Sequence, residues 1–282
     1  MSDHIDIESG YDNEPAERLS PLPQDLAVQY YDIEMQLYKE DAEFYASFVE
    51  ERDHILELGC GSGRVSRYLA AHKRVELTGI DISEAALHRA EKQLLPGLRF
   101  VKMDMRDLHF SRAFTTVIIP YNTLNLLTGR SDILRCLRGC QKYLQKDGLL
   151  LAQIFTPSKR ALISKKKTFQ FQIFDDTAGG RLIKEIRKTY DSSSETIQVE
   201  ERYRPRPSSP RKQREDYRRC YTVSGFQGSH WLSLFEAAGF SVQHHYQDFQ
   251  GTPYHQQASR LIVVCRKKIL KSRNRTPDLF CS

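Results

Sequence analysis

The chain has 282 residues, 40% of them hydrophobic and 28% charged, the composition of an ordinary globular protein. No apolar stretch approaches the roughly 20 residues that cross a bilayer, and the opening residues lack a basic segment followed by an apolar run, so neither a membrane span nor a secretory leader is expected and a cytoplasmic location follows. The formal net charge of +6 is unevenly placed: residues 1–150 carry 18 basic and 24 acidic side chains, whereas residues 151–282 carry 24 and 12.

Residues 1–24 are acidic and contain Pro15, Pro21 and Pro23, so they are expected to form a flexible N-terminus. Two amphipathic stretches, Ala27 to Tyr38 and Asp41 to Phe48, predict helices that cover a neighbouring element. His54 to Leu58 predicts a strand running into Gly59-Cys60-Gly61-Ser62-Gly63 and a helix, which makes one βα unit. Strands follow at Leu77 to Ile80, Arg99 to Lys102, Thr115 to Pro120 and Leu149 to Phe155. They are separated by a helix capped by Ser83 and another expected to be capped by Ser131. This alternation predicts an α/β fold with a parallel sheet covered on both faces. Between about Thr168 and Tyr203 the pattern switches to period two, as in Phe169-Gln170-Phe171-Gln172-Ile173, which predicts antiparallel strands. Arg204 to Arg219, rich in Pro, Ser and Arg, is expected to be a mobile loop. A helix from Trp231 to Ala238, ended by Gly239, and strands at Phe240 to His245 and Leu261 to Cys265 complete the pattern. The cysteines (Cys60, Cys136, Cys140, Cys220, Cys265 and Cys281) form no Cys-x-x-Cys pair, so reduced thiols and no metal site are expected.

Three glycines in five residues after a buried strand allow a tight turn that brings backbone N–H groups to a ligand at a helix N-terminus. The spacing is neither the G-x-G-x-x-G of dinucleotide sites nor a phosphate loop, since Gly-Lys-Ser/Thr is missing. Asp81 ends the second strand 22 positions after Gly59, where a carboxylate reaches the ribose hydroxyls of an adenosine. Asp104 closes the third strand, and Met105 follows it; the pair suits an adenine ring.

These motifs, Leu-Glu-Leu-Gly-Cys-Gly-Ser-Gly-Arg, Gly-Ile-Asp-Ile-Ser and Lys-Met-Asp-Met, resemble those of the class I S-adenosylmethionine-dependent methyltransferases, over roughly Tyr30 to Lys267. The resemblance implies a Rossmann-like seven-stranded sheet of order 3-2-1-4-5-7-6 with helices on both faces and an antiparallel β insertion after strand 5. It implies a cofactor-binding core at 25–160 and 220–268, a lid at 161–219 and a tail at 269–282. It assigns Gly59, Cys60 and Gly61 to the methionine end of S-adenosylmethionine, Asp81 to the ribose, Ile82 and Met105 to the faces of adenine and Asp104 to its amino group. Glu57 would order the glycine turn. Tyr30 would reach the cofactor carboxylate or pack a helix. Tyr121 and Asn122, at the tip of strand four, would line the reaction centre, and His230 is a candidate base beside His244, His245 and His255.

The lid region, from Lys159 to Arg219, holds 17 basic and 9 acidic residues, so an anionic acceptor is expected. The leading expectation is methyl transfer to nitrogen or oxygen of a small molecule, anionic if the lid charge faces the acceptor rather than solvent, by a monomer or homodimer. The alternatives are a tRNA or rRNA methyltransferase, disfavoured because no RNA-recognition module is visible, and a cofactor-binding subunit without turnover.

Overall fold

The computed structural model describes residues 19–157, 168–176, 179–208 and 215–268; the expectations for the first 18 residues and the tail lie outside them. Numbered along the chain, the central sheet contains β2 (His54–Leu58), β3 (Glu76–Asp81), β4 (Leu98–Lys102), β5 (Phe114–Ile119), β6 (Leu144–Phe155), β11 (Phe240–Tyr246) and β12 (Arg260–Lys267). Their order is β4-β3-β2-β5-β6-β12-β11, with β12 antiparallel to both neighbours. This is the expected 3-2-1-4-5-7-6 arrangement.

The apolar runs explain the burial. In β2, Ile55 faces one core cluster while Leu56 and Leu58 face the other, because successive side chains leave opposite faces of a strand. Helices α2 (Glu40–Ala46) and α3 (Arg64–His72) supply Ala42, Tyr45, Val65 and Leu69 to the first cluster. Helix α5 (Arg130–Tyr143) supplies Ile133, Cys136, Leu137 and Cys140 to the second at spacings of three and four, and α6 (Gly228–Ala237) adds Trp231, Leu234 and Phe235. Helix α4 (Glu84–Glu91) is capped by Ser83, whose Oγ accepts the Ala86 N–H. Ser131 does not cap α5: it lies inside the first turn, and Gly129 holds the cap position.

The insertion is a second sheet of order β1-β10-β9-β8-β7, built from β1 (Ser20–Pro21), β7 (Thr168–Asp175), β8 (Gly180–Asp191), β9 (Thr196–Pro207) and β10 (Tyr217–Ser224). The expected loop from Arg204 to Arg219 is strand at both ends. Pro205 and Pro207 are tolerated because β9 extends past Tyr203 with a ladder to β8 alone; β10 joins only at Tyr217, opposite Tyr203. Asp216 accepts from Arg204 and Arg206 at 2.9 Å each, which fastens that corner. Residues 220–224, assigned to the core by resemblance, pair with β9 in this lid sheet. Helix α1 (Gln24–Met35) packs Tyr30 and Ile33 on Leu182 and Tyr203 of the lid. Just before it, Ser20 and Pro21 pair with β10 at the edge of that sheet.

Candidate active site

The C-terminal ends of β2, β3 and β5 point at one side of the sheet, where open α/β folds place their ligands. Leu58 ends β2, and the chain turns through Gly59, Gly61 and Gly63, all at positive φ. A Cβ on Gly59 would lie 2.3 Å from Thr123 Cγ2, so glycine is required there for close packing. A Cβ on Gly61 would meet nothing within 4 Å: that residue faces open space. Asp81 fixes this geometry. Its Oδ2 accepts the Gly61 N–H and its Oδ1 the Ser83 N–H, each at 2.9 Å, so one carboxylate ties the glycine turn to the start of α4.

Glu57 is buried beneath the turn and accepts the Ser66 hydroxyl, joining β2 to α3. Burial pushes its carboxyl up to about 7, against the opposing effect of the Ser66 bond. On the other side of the turn, Ser62 Oγ donates to Asp32 of α1, which also pairs with Arg89 of α4. Arg64 pairs in bidentate fashion with the buried Asp41, at 2.8 and 2.5 Å. The tip of β5 is strained, because Tyr121 and Asn122 both have left-handed backbones, at φ 45° and 61°. Such conformations cost about 1–3 kcal/mol each and concentrate at functional sites. Tyr121 contacts the rings of Tyr31 and Tyr38 edge-on, and burial raises the pKa of its hydroxyl.

A cavity of about 700 Å³ runs from this turn to the inner face of the lid sheet. Of the residues expected from sequence, Glu57, Gly59, Cys60, Gly61, Asp81, Ile82, Tyr121 and Asn122 line it. Four others are elsewhere. Tyr30 stacks on Tyr203 at 5.3 Å between ring centres, and Tyr31 is the α1 tyrosine on the cavity wall. Asp104 is taken up by its neighbour Arg106, which donates to it from the backbone, Nε and Nη2 and holds its carboxyl below the usual range. Met105 packs against the core. His230 lies against Phe226 with the rings tilted at 41°, its Nδ1 3.6 Å from Glu195, and does not line the cavity.

The lid end of the cavity contains residues that the sequence reading passed over. Lys184 is buried and bonds Glu34 at 2.8 Å and Glu201 at 2.9 Å. Tyr203 and Tyr221 also donate to Glu201, each at 3.1 Å. The sequence signal was present: in β8 the apolar phase reads Leu182, Lys184, Ile186, Lys188, and a lysine in the buried phase of an alternating strand requires a partner or a ligand. Much of the lid's positive charge is internally paired. Arg202 meets Glu200, Arg204 meets Glu185 and Asp216, and Arg206 meets Asp216.

The residues of the turn fit S-adenosylmethionine. Gly61 leaves room for a ligand against its backbone, Asp81 presents a carboxylate to the cavity at the end of β3, and Ile82 stands 68% exposed on the cavity wall, an apolar face for a ring.

Residues 55–148 match the methyltransferase domain family. YqeM, a provisionally named methyltransferase of Bacillus subtilis, is 30% identical over 138 residues, 48% of this chain and 56% of that protein. The match thus spans just over half the length of YqeM, and likewise of a demethylmenaquinone methyltransferase of Thermotoga maritima that is 31% identical over 133 residues, 45% of this chain. A crystal structure of an S-adenosylmethionine-dependent methyltransferase from Clostridium acetobutylicum superposes with a TM-score of 0.72, at 13% identity, covering 86% of this chain and all of the other. The sugar N-methyltransferase KedS8 of Streptoalloteichus sp superposes with a TM-score of 0.69, at 17% identity, covering 93% and 99%. The domain match falls on the strands and turn that build the cofactor end of the cavity, and the solved structures extend the likeness in fold over most of the remaining chain: residues 55–148 match a methyltransferase domain, and the chain has the fold of S-adenosylmethionine-dependent methyltransferases.

Proposed function

We propose that this protein transfers the methyl group of S-adenosylmethionine to a nitrogen or oxygen atom of a small molecule held beneath the lid sheet. The observation that carries this reading is the continuity of the cavity: the glycine turn and the lid face open into the same space, so donor and acceptor can meet at Tyr121 and Asn122. When bound, the cofactor supplies a methyl group on a sulfonium, already activated for displacement.

The chain's own residues then position and desolvate. Gly59, Cys60, Gly61, Asp81 and Ile82 would hold the cofactor, and α1, fastened to the turn through Asp32 and Ser62, excludes water from above. Phe155, Ile186, Ile197 and Val223 give the acceptor an apolar wall. Among the described residues no histidine lines the cavity, and a neutral amine, whose lone pair attacks without first losing a proton to a base, is the acceptor that asks least of such a lining. Glu34, whose carboxyl is pushed up by burial, faces the same chamber and can take the proton shed after transfer. A nitrogen acceptor is also what the name of the KedS8 neighbour states for that protein.

The test is transfer of a labelled methyl group from S-adenosylmethionine into metabolite and RNA fractions of a cell extract. Label in amine-bearing metabolites is expected. Label confined to RNA would replace this reading with an RNA methyltransferase, and cofactor binding without label in any fraction would leave a binding subunit.

A further inference from the structure

The lid register sets out the inner wall of the chamber. Across β8, β9 and β10, one row reads Ile186, Glu201, Arg219 and the next reads Lys188, Val199, Tyr221. All six line the cavity. Two of them are cations, on strands flanking β9 and in adjacent rows.

Their surroundings separate them from the other basic residues of the cavity. Arg64 is matched by Asp41, and Lys184 by Glu34 and Glu201. Lys188 and Arg219 have no carboxylate within ion-pair distance among the described residues. Instead the Lys188 ammonium lies over the Phe155 ring at 4.8 Å, and the Arg219 guanidinium over the Tyr221 ring at 4.8 Å. Aromatic faces hold a cation in place without neutralising it. Burial and the nearby Lys184 charge lower the Lys188 pKa, more than the Glu201 carboxylate raises it; Glu201, opposite Arg219 in the register, is bonded to Lys184, so its charge is shared and the Lys188 ammonium lacks a full counter-charge of its own. Lys188 is half-buried and Arg219 exposed, so a compact anion entering between the two would supply that charge to a lysine already partly removed from water, where an ion pair is stronger than in bulk solvent.

We propose that Lys188 and Arg219 are the specificity-determining residues of the acceptor site and bind a carboxylate or phosphate group of the methyl acceptor. The assignment rests on the reading of this cavity as the acceptor chamber. It places the anionic end of the molecule against the lid and leaves its other end directed to Tyr121 and Asn122.

The full-length protein, with and without S-adenosylhomocysteine, is titrated with inorganic pyrophosphate and with malonate in a calorimeter. Wild type is expected to bind at least one probe, and which one it binds separates a phosphate from a carboxylate. Lys188→Met and Arg219→Met are each expected to weaken that binding at least tenfold. Arg218→Met removes the same charge from the opposite face of β10 and is expected to change it less than twofold. As a measurement that does not depend on a variant folding, limited acetylation followed by mass spectrometry should label Lys188 and show protection by the bound probe. Failure of both probes to bind, equal binding in all three variants, or labelling of Lys188 unaffected by the probes would overturn the assignment. S-adenosylhomocysteine binding is read in the same experiments. Its loss with anion binding intact would count against methyl transfer, and the reverse result would count against the anion site alone.

Discussion

Ser62 in the glycine turn donates its hydroxyl to Asp32 of α1 at 2.5 Å, and Asp32 in turn receives Arg89 from α4. One carboxylate therefore fastens the helix that roofs the cavity to the turn below it. Because the Asp32–Arg89 pair is partly exposed, its loss should cost less than about 1 kcal/mol of global stability. Asp32→Ala is instead expected to speed amide exchange across residues 24–35 and to weaken S-adenosylhomocysteine binding by about 1 kcal/mol. Unchanged exchange in that helix would show that its packing on Leu182 and Tyr203 suffices to hold it.

Gly59 and Gly61 share positive φ but differ in space. Gly59→Ala should lose about 3 kcal/mol, from backbone strain together with the clash at Thr123, and melt several degrees lower. Gly61→Ala should lose only about 1 kcal/mol, because its methyl projects into open space, yet it should bind S-adenosylhomocysteine far more weakly for the same reason. Thermal melts and calorimetry on the two variants should therefore rank them in opposite order.

Asp81 performs two tasks, bracing Gly61 and Ser83 and presenting a carboxylate to the cavity. Asp81→Ala is expected to weaken cofactor-analogue binding by about 1–3 kcal/mol. Asp81→Asn can still accept one backbone N–H, and it should recover part of that loss. Equal affinity in wild type and Asp81→Ala would remove Asp81 from the site.

What the sequence made legible were the features with a local cause. The parallel sheet is written in buried runs such as Phe114–Ile119, and the turn in three closely spaced glycines. The cofactor end of the cavity could be located because a strand end, a turn and an acid at fixed spacing are enough to build it. The acceptor end depends on strand register between segments far apart in sequence: Glu34 meets Lys184 across 150 positions, and the side chains of β10 reach the chamber only through pairing with β9. Asp104 shows the converse. Its position after a strand suggested a ligand, but an arginine two residues away competes for the same carboxylate.

Glu57 should make stability depend on pH. Its folded pKa of about 7 lies above its ordinary value of 4.5, so the folded state binds the proton more tightly than the unfolded state. The stabilisation this brings is fully present below about pH 4.5 and is lost as pH rises to about 7, by up to about 3 kcal/mol, with a plateau above. Glu57→Gln keeps an acceptor for Ser66 and removes the titration. Urea melts of the ligand-free protein between pH 5 and 8 should show the variant gaining on wild type as pH rises. Parallel curves for the two proteins would mean that Glu57 titrates alike in both states.

Asn125 joins three parts of the molecule that no single element could align. It follows the strained tip of β5; its Nδ2 donates to the carbonyls of Phe155 and Ser224, and its Oδ1 accepts the Phe155 N–H, at 2.9 to 3.0 Å. Phe155 ends β6 and Ser224 ends β10, so this one buried amide sets the lid sheet against the central sheet. Asn125→Ala would leave these backbone groups unpaired in the interior, at a cost of about 2–4 kcal/mol. Asn125→Asp keeps an acceptor for the Phe155 N–H but loses both donations, and it should fall between Ala and wild type if it stays folded. Because the loss is localised where the lid joins the core, exchange should accelerate first in β10 and at the end of β6, while α3 and β2 remain protected. Uniform acceleration throughout the chain would mean that Asn125 supports the whole fold rather than the placement of the lid.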